Sequence, residues 1–359
     1  LGEVAGDAKV DPRKTGAPIQ GGILDLLDYV RKWAHTMGMN IVFLGSGAFG
    51  IPSLEALVRA GHRLSGVITQ PDRPAGRGKH EMPTPVAQWA ANHGLPIVKT
   101  ADANGPDVTA KLKEWAPECF VVIAFGQKLS DELLAMAPHR GINLHASLLP
   151  KYRGAAPINW AVINNDALAG VSVIEVARVM DAGAILGAAE TPIGRAETAG
   201  ELHDRLADLG APVLAGVVAR LAGGGVERII QEEAKATRAR KLSRELAWVD
   251  FAQSAEIASA RIRGLSPWPG VQVEVLDAAG KSRGPATILK CQASPSQAAH
   301  GSEDCGRVLA DRTVACGTGS LEIQLIQPAG KKAMELQAFA NGYGFGPGAR
   351  LRSVVRNPG

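Results

Sequence analysis

The sequence predicts a doubly wound α/β domain on a mostly parallel sheet, followed by a C-terminal OB-like β-barrel. Three observations carry this. From Met39 onward, short β-rich runs alternate with helical ones, the pattern of stacked βα units. The run Cys119-Phe-Val-Val-Ile-Ala124 is apolar on both faces, as a strand covered by helices on both sides must be. Beyond Asp250, runs of period two such as Val271-Gln-Val-Glu-Val275 and Leu321-Glu-Ile-Gln-Leu325 are separated by Gly-rich turns, the style of a small barrel. At 359 residues the chain can bury a core in each of two domains.

The first 38 residues read differently from the rest. Leu1–Gly22 lacks periodicity, Ile23, Leu26, Leu27 and Val30 fall at helical spacing, and Met39 stands directly before a hydrophobic strand. Residues 1–38 are therefore expected to be an extension outside the fold. Residues 39–222 form the α/β domain, with strands expected at Asn40–Leu44, Leu64–Thr69, Pro96–Val98, Cys119–Ala124 and Gly141–His145, and paired short strands at Val171–Val176 and Ile185–Thr191. Helices are expected near Ser53–Arg59, Pro85–Asn92 and Ala156–Ile163, with a closing one over Gly200–Leu221. Residues 223–241 open on Gly-Gly-Gly and continue polar and charged, as a linker would. Residues 242–359 make the barrel domain, with a helix over Ala252–Arg263.

Composition removes several classes of function. The longest apolar run falls far short of the roughly 20 residues that span a bilayer, so no membrane role is expected. Cys119, Cys291, Cys305 and Cys316 form no Cys-x-x-Cys pair, which points to unpaired thiols in a reducing cytoplasm and to no structural metal. The net charge of +4 is unevenly spread: about +5 lies after Ala222 and about −1 before Gly223. A basic C-terminal part suggests a polyanionic partner there.

Gly45-Ser-Gly-Ala-Phe-Gly50 follows a strand, opens a helix and matches the dinucleotide fingerprint. The acidic residue expected at the end of the second strand is missing, since Asp72 sits in a Pro-bracketed loop. The motif is therefore read as a Gly-rich turn serving the same topology, with a nicotinamide-dependent oxidoreductase as the lesser alternative.

The residues that carry chemistry lie elsewhere. Asn143 and His145 are two apart on a strand, so their side chains share a face at its carboxyl end, where open α/β sheets bind ligands. Asp181 lies between two short strands beside Gly183. Such a trio could donate hydrogen bonds to an oxyanion and handle an amine proton. A capped strand end and a turn aspartate are the plainer alternative. The loop Pro71–Lys79 combines prolines and glycines with Arg73, Arg77 and Lys79, which gives it a phosphate-seeking charge. Arg238, Arg240, Lys241, Lys331 and Lys332 are further phosphate candidates in the linker and barrel.

Four separated motifs together resemble the methionyl-tRNA formyltransferase family over Met39–Leu351: Thr69-Gln-Pro-Asp-Arg-Pro-Ala-Gly-Arg-Gly-Lys79, Asn143-Leu-His-Ala-Ser-Leu-Leu-Pro-Lys-Tyr-Arg-Gly-Ala-Ala-Pro157, Met180-Asp-Ala-Gly183 and Gln327-Pro-Ala-Gly-Lys-Lys-Ala-Met334. The resemblance implies a formyltransferase-type Rossmann-like domain that moves a formyl group from 10-formyltetrahydrofolate to the α-amine of methionyl initiator tRNA. It implies catalysis by Asn143, His145 and Asp181, folate contacts at Ser147, Leu148, Leu149 and Pro150, and a pterin slot walled near Phe125 and Gly126. It further implies that the Arg73–Lys79 loop meets the acceptor end of the tRNA, with Arg77 foremost. A monomer without a metal is expected. The alternative acceptor is a small amine of the glycinamide ribonucleotide type. Two departures stand out: the family's Gly-Thr-Pro-x-Phe is Gly-Ser-Gly-Ala-Phe49 here, and its linker Thr-Tyr is Thr237-Arg238.

Overall fold

A computed structural model of the chain describes residues 38–75, 80–294 and 298–354. The extension expected over residues 1–38 thus lies, Gly38 apart, outside the described residues. In chain order the first part carries β1 (Asn40–Gly45), β2 (Arg63–Thr69), the antiparallel pair β3 (Arg73–Ala75) and β4 (His80–Met82), and β5 (Ile97–Lys99). Next come β6 (Cys119–Ile123), β7 (Gly141–His145), β8 (Arg153–Gly154), β9 (Leu168–Glu175) and β10 (Ile185–Pro192).

The main sheet runs β10-β9-β7-β6-β1-β2-β5. Strands β5 to β7 in that order are parallel, whereas β9 is antiparallel to β7 and β10 to β9. The order reverses between β1 and β6, and open sheets of this type bind ligands beyond the carboxyl ends at that switch. β9 begins three residues before the predicted start because Leu168 and Ala169 pair with Pro192 and Thr191.

Both faces of the sheet are covered. Ile41, Phe43, Val121, Ile142 and Leu144 pack on one side with the helix Ala199–Ala222, and Val42, Leu44, Phe120 and Phe125 on the other. That helix starts in a capping box, Thr198 accepting from the Glu201 amide while the Glu201 carboxylate accepts from the Thr198 amide. Its Gly210 lets the backbone lie against β7, since a Cβ there would be 2.7 Å from Leu144 Cδ2. Leu144 is therefore held toward the helix, and strand alternation turns Asn143 and His145 to the opposite face.

The second core gathers Val249, Phe251, Ile262, Val273, Ile288, Cys291, Ile323 and Phe345. Its strands are β12 (Val271–Leu276), β13 (Ser282–Ala293), β14 (Val314–Ala315), β15 (Ser320–Pro328), β16 (Met334–Glu335) and β17 (Arg350–Ser353). They are ordered β14-β15-β13-β12-β17, with β16 on β15. Bridges from Arg307 to Arg350 and from Val308 to Val314 join the two ends, so the antiparallel barrel is nearly closed. The predicted helix starts at Ala255 instead of Ala252 because Ser254 caps it, accepting from the Ile257 amide. A helix the periodicity did not reveal, Leu336–Tyr343, buries Phe339 between Tyr343 and Phe345.

The two parts dock closely. A Cβ on Gly264 would lie 2.4 Å from Ile163 Cγ1, and Asn159 donates to the Gly264 carbonyl at 2.8 Å. The buried Arg263 donates to the carbonyls of Gly194 and Glu197 and to the Asn165 side chain. The segment predicted as a linker does not hang free. Ile229 exchanges both backbone hydrogen bonds with Ile185, and β11 (Arg238–Ala239) pairs with β8. Arg228, Gln231, Glu233 and Thr237 hydrogen-bond to the first domain, and most of the segment is otherwise exposed.

Candidate active site

The site forms where β7 ends. After His145 the chain folds into a tight turn: the Ser147 hydroxyl donates to the Lys151 carbonyl at 2.6 Å, and Ser172 of β9 donates to the Ser147 carbonyl and accepts from the Leu149 amide. This returns Tyr152 to the histidine, whose Nε2 lies 2.9 Å from the Tyr152 carbonyl oxygen. A carbonyl only accepts, so Nε2 carries the proton and Nδ1 is left to face inward. Tyr152 is itself fixed, its hydroxyl donating to Asp166 and accepting from Asn164, and burial pushes its phenol above the usual range.

Asp181 reaches His145 from the β9–β10 connection. Its Oδ1 lies 3.7 Å from His145 Nδ1, with the side chains only 11% and 7% exposed, so the pair is shielded from bulk water. Its Oδ2 accepts from the Gly154 amide at 2.8 Å. Asp181 has φ of 56°, a left-handed conformation tolerated by Asp better than by most side chains. Gly183 is required sterically, because a Cβ there would stand 1.8 Å from the Glu175 carbonyl oxygen. Asn143 is partly exposed and its amide makes no hydrogen bond to the described residues. The three side chains thus present a free amide, an imidazole nitrogen and a carboxylate at one strand end. That arrangement can stabilise an oxyanion and take up an amine proton.

A family model described as formyl transferase matches residues 39–218, and one described as formyl transferase, C-terminal domain, matches residues 241–344. A protein of Moorella thermoacetica named methionyl-tRNA formyltransferase is 40% identical over 325 residues, covering 88% of this chain and 100% of its own length. One of Symbiobacterium thermophilum with the same name is 40% identical over 316 residues, covering 87% and 95%. The chain belongs to the methionyl-tRNA formyltransferase family. Among solved structures, the sugar 3N-formyl transferase WlaRD shares the fold at a TM-score of 0.58 and 15% identity, covering 83% of this chain and 100% of its own. HypX from Aquifex aeolicus, solved with tetrahydrofolic acid, does so at 0.56 and 16%, covering 86% and 48%.

The formyltransferase fold accounts for the other expected residues unevenly. Leu148 packs on Gly170 of β9, Leu149 is buried and Pro150 partly exposed. The Ser147 hydroxyl is engaged in its own turn. The Phe125 ring is buried in the core, and Gly126 beside it is exposed with φ of 77°. Arg73 is exposed on β3, whereas Arg77 and Lys79 lie outside the described residues. Lys331 and Lys332 are exposed at the turn between β15 and β16. Arg238 is exposed on β11, and Arg240 lies over the Trp160 ring. Lys241 lines an interdomain cleft of about 830 Å³ together with Trp268 and Lys290.

Three features escaped sequence reasoning. Ser46, the departure in the first turn, accepts from the Gln70 amide at 3.1 Å and meets the Thr69 hydroxyl, which meets that of Thr84. The substitution therefore keeps a hydroxyl that ties the stem of the basic loop to the Gly-rich turn. Gly45 and Gly50 are packing residues, since a Cβ on either would collide with the Phe43 ring. Gln231 joins the predicted linker to the Asp181 carbonyl and accepts from Arg153. Among the described residues no His, Cys, Asp or Glu group could hold a metal. No helix among them is long and apolar enough to cross a membrane. Burial pushes the Cys119, Cys291 and Cys316 thiols up to about 12, so none is a nucleophile at neutral pH.

Proposed function

We propose that this protein transfers the formyl group of 10-formyltetrahydrofolate to the α-amine of methionyl initiator tRNA. The observation that carries the reading is the shielded Asp181–His145 pair beside the free Asn143 amide. The amine attacks the formyl carbon, and the oxygen that gains charge is met by the Asn143 amide and by the imidazolium Nδ1–H. Each such donor lowers the barrier by about 3–4 kcal/mol. Donation from Nδ1 requires a second proton on the ring, and Asp181 is its counter-ion. Asp181 also takes up the proton lost by the amine, directly or through water. The bond from folate N10 to the formyl carbon then breaks, N10 gains a proton, and formylmethionyl-tRNA is released with tetrahydrofolate.

The donor binds along the Ser147–Pro150 turn and the backbone at Phe125–Gly126. Arg73, Arg77 and Lys79 meet the acceptor end of the tRNA, and Arg238, Arg240, Lys241, Lys331 and Lys332 contact its phosphates. The names of the relatives support this acceptor. All three chemical residues come from one chain, so a monomer suffices, and charged tRNA places the reaction in the cytoplasm. The test is incubation with labelled 10-formyltetrahydrofolate, charged initiator tRNA and glycinamide ribonucleotide together. Label on methionyl-tRNA supports the proposal; label on the ribonucleotide alone refutes it.

A further inference from the structure

The segment between the two cores touches the site at an unexpected place. Gln231 Nε2 donates to the carbonyls of Asp181 and Gly183, both at 2.8 Å. Its Oε1 accepts from Arg153 Nε at 3.1 Å, and Arg153 is held in turn by Glu233 at 2.8 Å. Arg153 lies between Tyr152, whose carbonyl fixes His145, and Gly154, whose amide fixes the Asp181 carboxylate. One side-chain amide thus links the loop bearing Asp181 to the strand that orients both members of the pair. The segment is pinned on either side of it, by the Ile229–Ile185 exchange and by Thr237 Oγ1 accepting from the Tyr152 amide. Asp181 needs this support, because its left-handed backbone is costly for a residue with a Cβ.

We propose that Gln231 is a positioning residue for Asp181, so that the interdomain segment sets the geometry of the proton-handling carboxylate. Gln231 lies in neither matched family region, which end at residue 218 and begin at residue 241. It does not touch the reacting atoms: both its donated hydrogen bonds go to backbone carbonyls, and no other residue among those described is seen to hold Asp181 O and Gly183 O together. Misplacing a catalytic group by about 1 Å can cost about 100-fold in rate.

The inference rests on the proposed role of Asp181, and a double-mutant cycle separates the two. Gln231→Leu removes the donors at similar size; Gln231→Glu keeps an acceptor for Arg153 but has no amide hydrogens, and serves if the leucine variant fails to fold. Either variant should lower kcat by about 10- to 100-fold with KM for folate and tRNA within about twofold. In an Asp181→Asn background the same substitution should have no further effect on kcat, because it acts through that carboxylate. Losses that multiply, or a Gln231 variant with full turnover, would overturn the inference. If Asp181→Asn alone left turnover intact, the proposed function itself would fail, whatever Gln231 did.

Discussion

At the scale of single residues, the site depends on contacts that leave little slack. Removing the Asn143 amide by Asn143→Ala deletes one oxyanion donor and should lower kcat by about 100- to 1000-fold. The strand pairs of Asn143 with Val122 and Ile174 are backbone contacts, so circular dichroism and Tm should be unchanged. Normal turnover of the folded variant would remove Asn143 from the mechanism. Gly183→Ala should act differently, since its Cβ would meet the Glu175 carbonyl at 1.8 Å and the backbone itself must move. Turnover and thermal stability should fall together in that variant. Asn143 and His145 were legible in the sequence because strand periodicity puts residues two apart on one face. Asp181 joined them through its place between two short strands and through the family resemblance, while spacing could not give its 3.7 Å approach to His145, because only tertiary folding brings the β9–β10 connection to β7. Gln231 was invisible for another reason: it binds backbone carbonyls, which leave no residue pattern.

At the scale of elements, composition and local pattern located most strands and helices, and tertiary contacts set their ends. The Gly45–Gly50 turn resembled a nucleotide loop, yet two of its glycines serve the Phe43 ring. The helix Ala199–Ala222 joins local and long-range support at Glu201, which completes its capping box and pairs with Lys290 of the barrel. Burial pushes the Glu201 carboxyl up, but donation from Lys290 and Thr198 outweighs it and holds the group below its ordinary 4.5. A depressed folded pKa stabilises the fold above the unfolded value, and that contribution is lost as pH falls through the folded one. Glu201→Ala should therefore cost about 1 kcal/mol at pH 7. The gap in urea midpoints between variant and parent should narrow as pH drops below 4.5. A gap independent of pH would show that the carboxylate charge contributes nothing.

At the scale of the whole molecule, the two cores are joined by a docked segment and by buried polar contacts. Arg263 is the clearest case, with burial pushing its guanidinium below the usual range and carbonyls of the other domain as its acceptors. Arg263→Ala should destabilise the protein by about 1–3 kcal/mol by leaving those acceptors unpaired. Unchanged denaturation would mean that solvent replaces the contact. The uneven charge along the chain was readable from the sequence, whereas the docking of the segment was not, because its polar composition also suits a free linker. If exposed cations such as Arg73, Lys331 and Lys332 meet phosphates, tRNA affinity should fall steeply with salt while folate affinity barely changes. The central claim is most directly tested by single-turnover transfer of labelled formyl to methionyl initiator tRNA, comparing the parent with His145→Ala. Transfer by the parent that falls at least about 100-fold in the folded variant is the predicted result; equal rates, or no label on the tRNA from either protein, would contradict it.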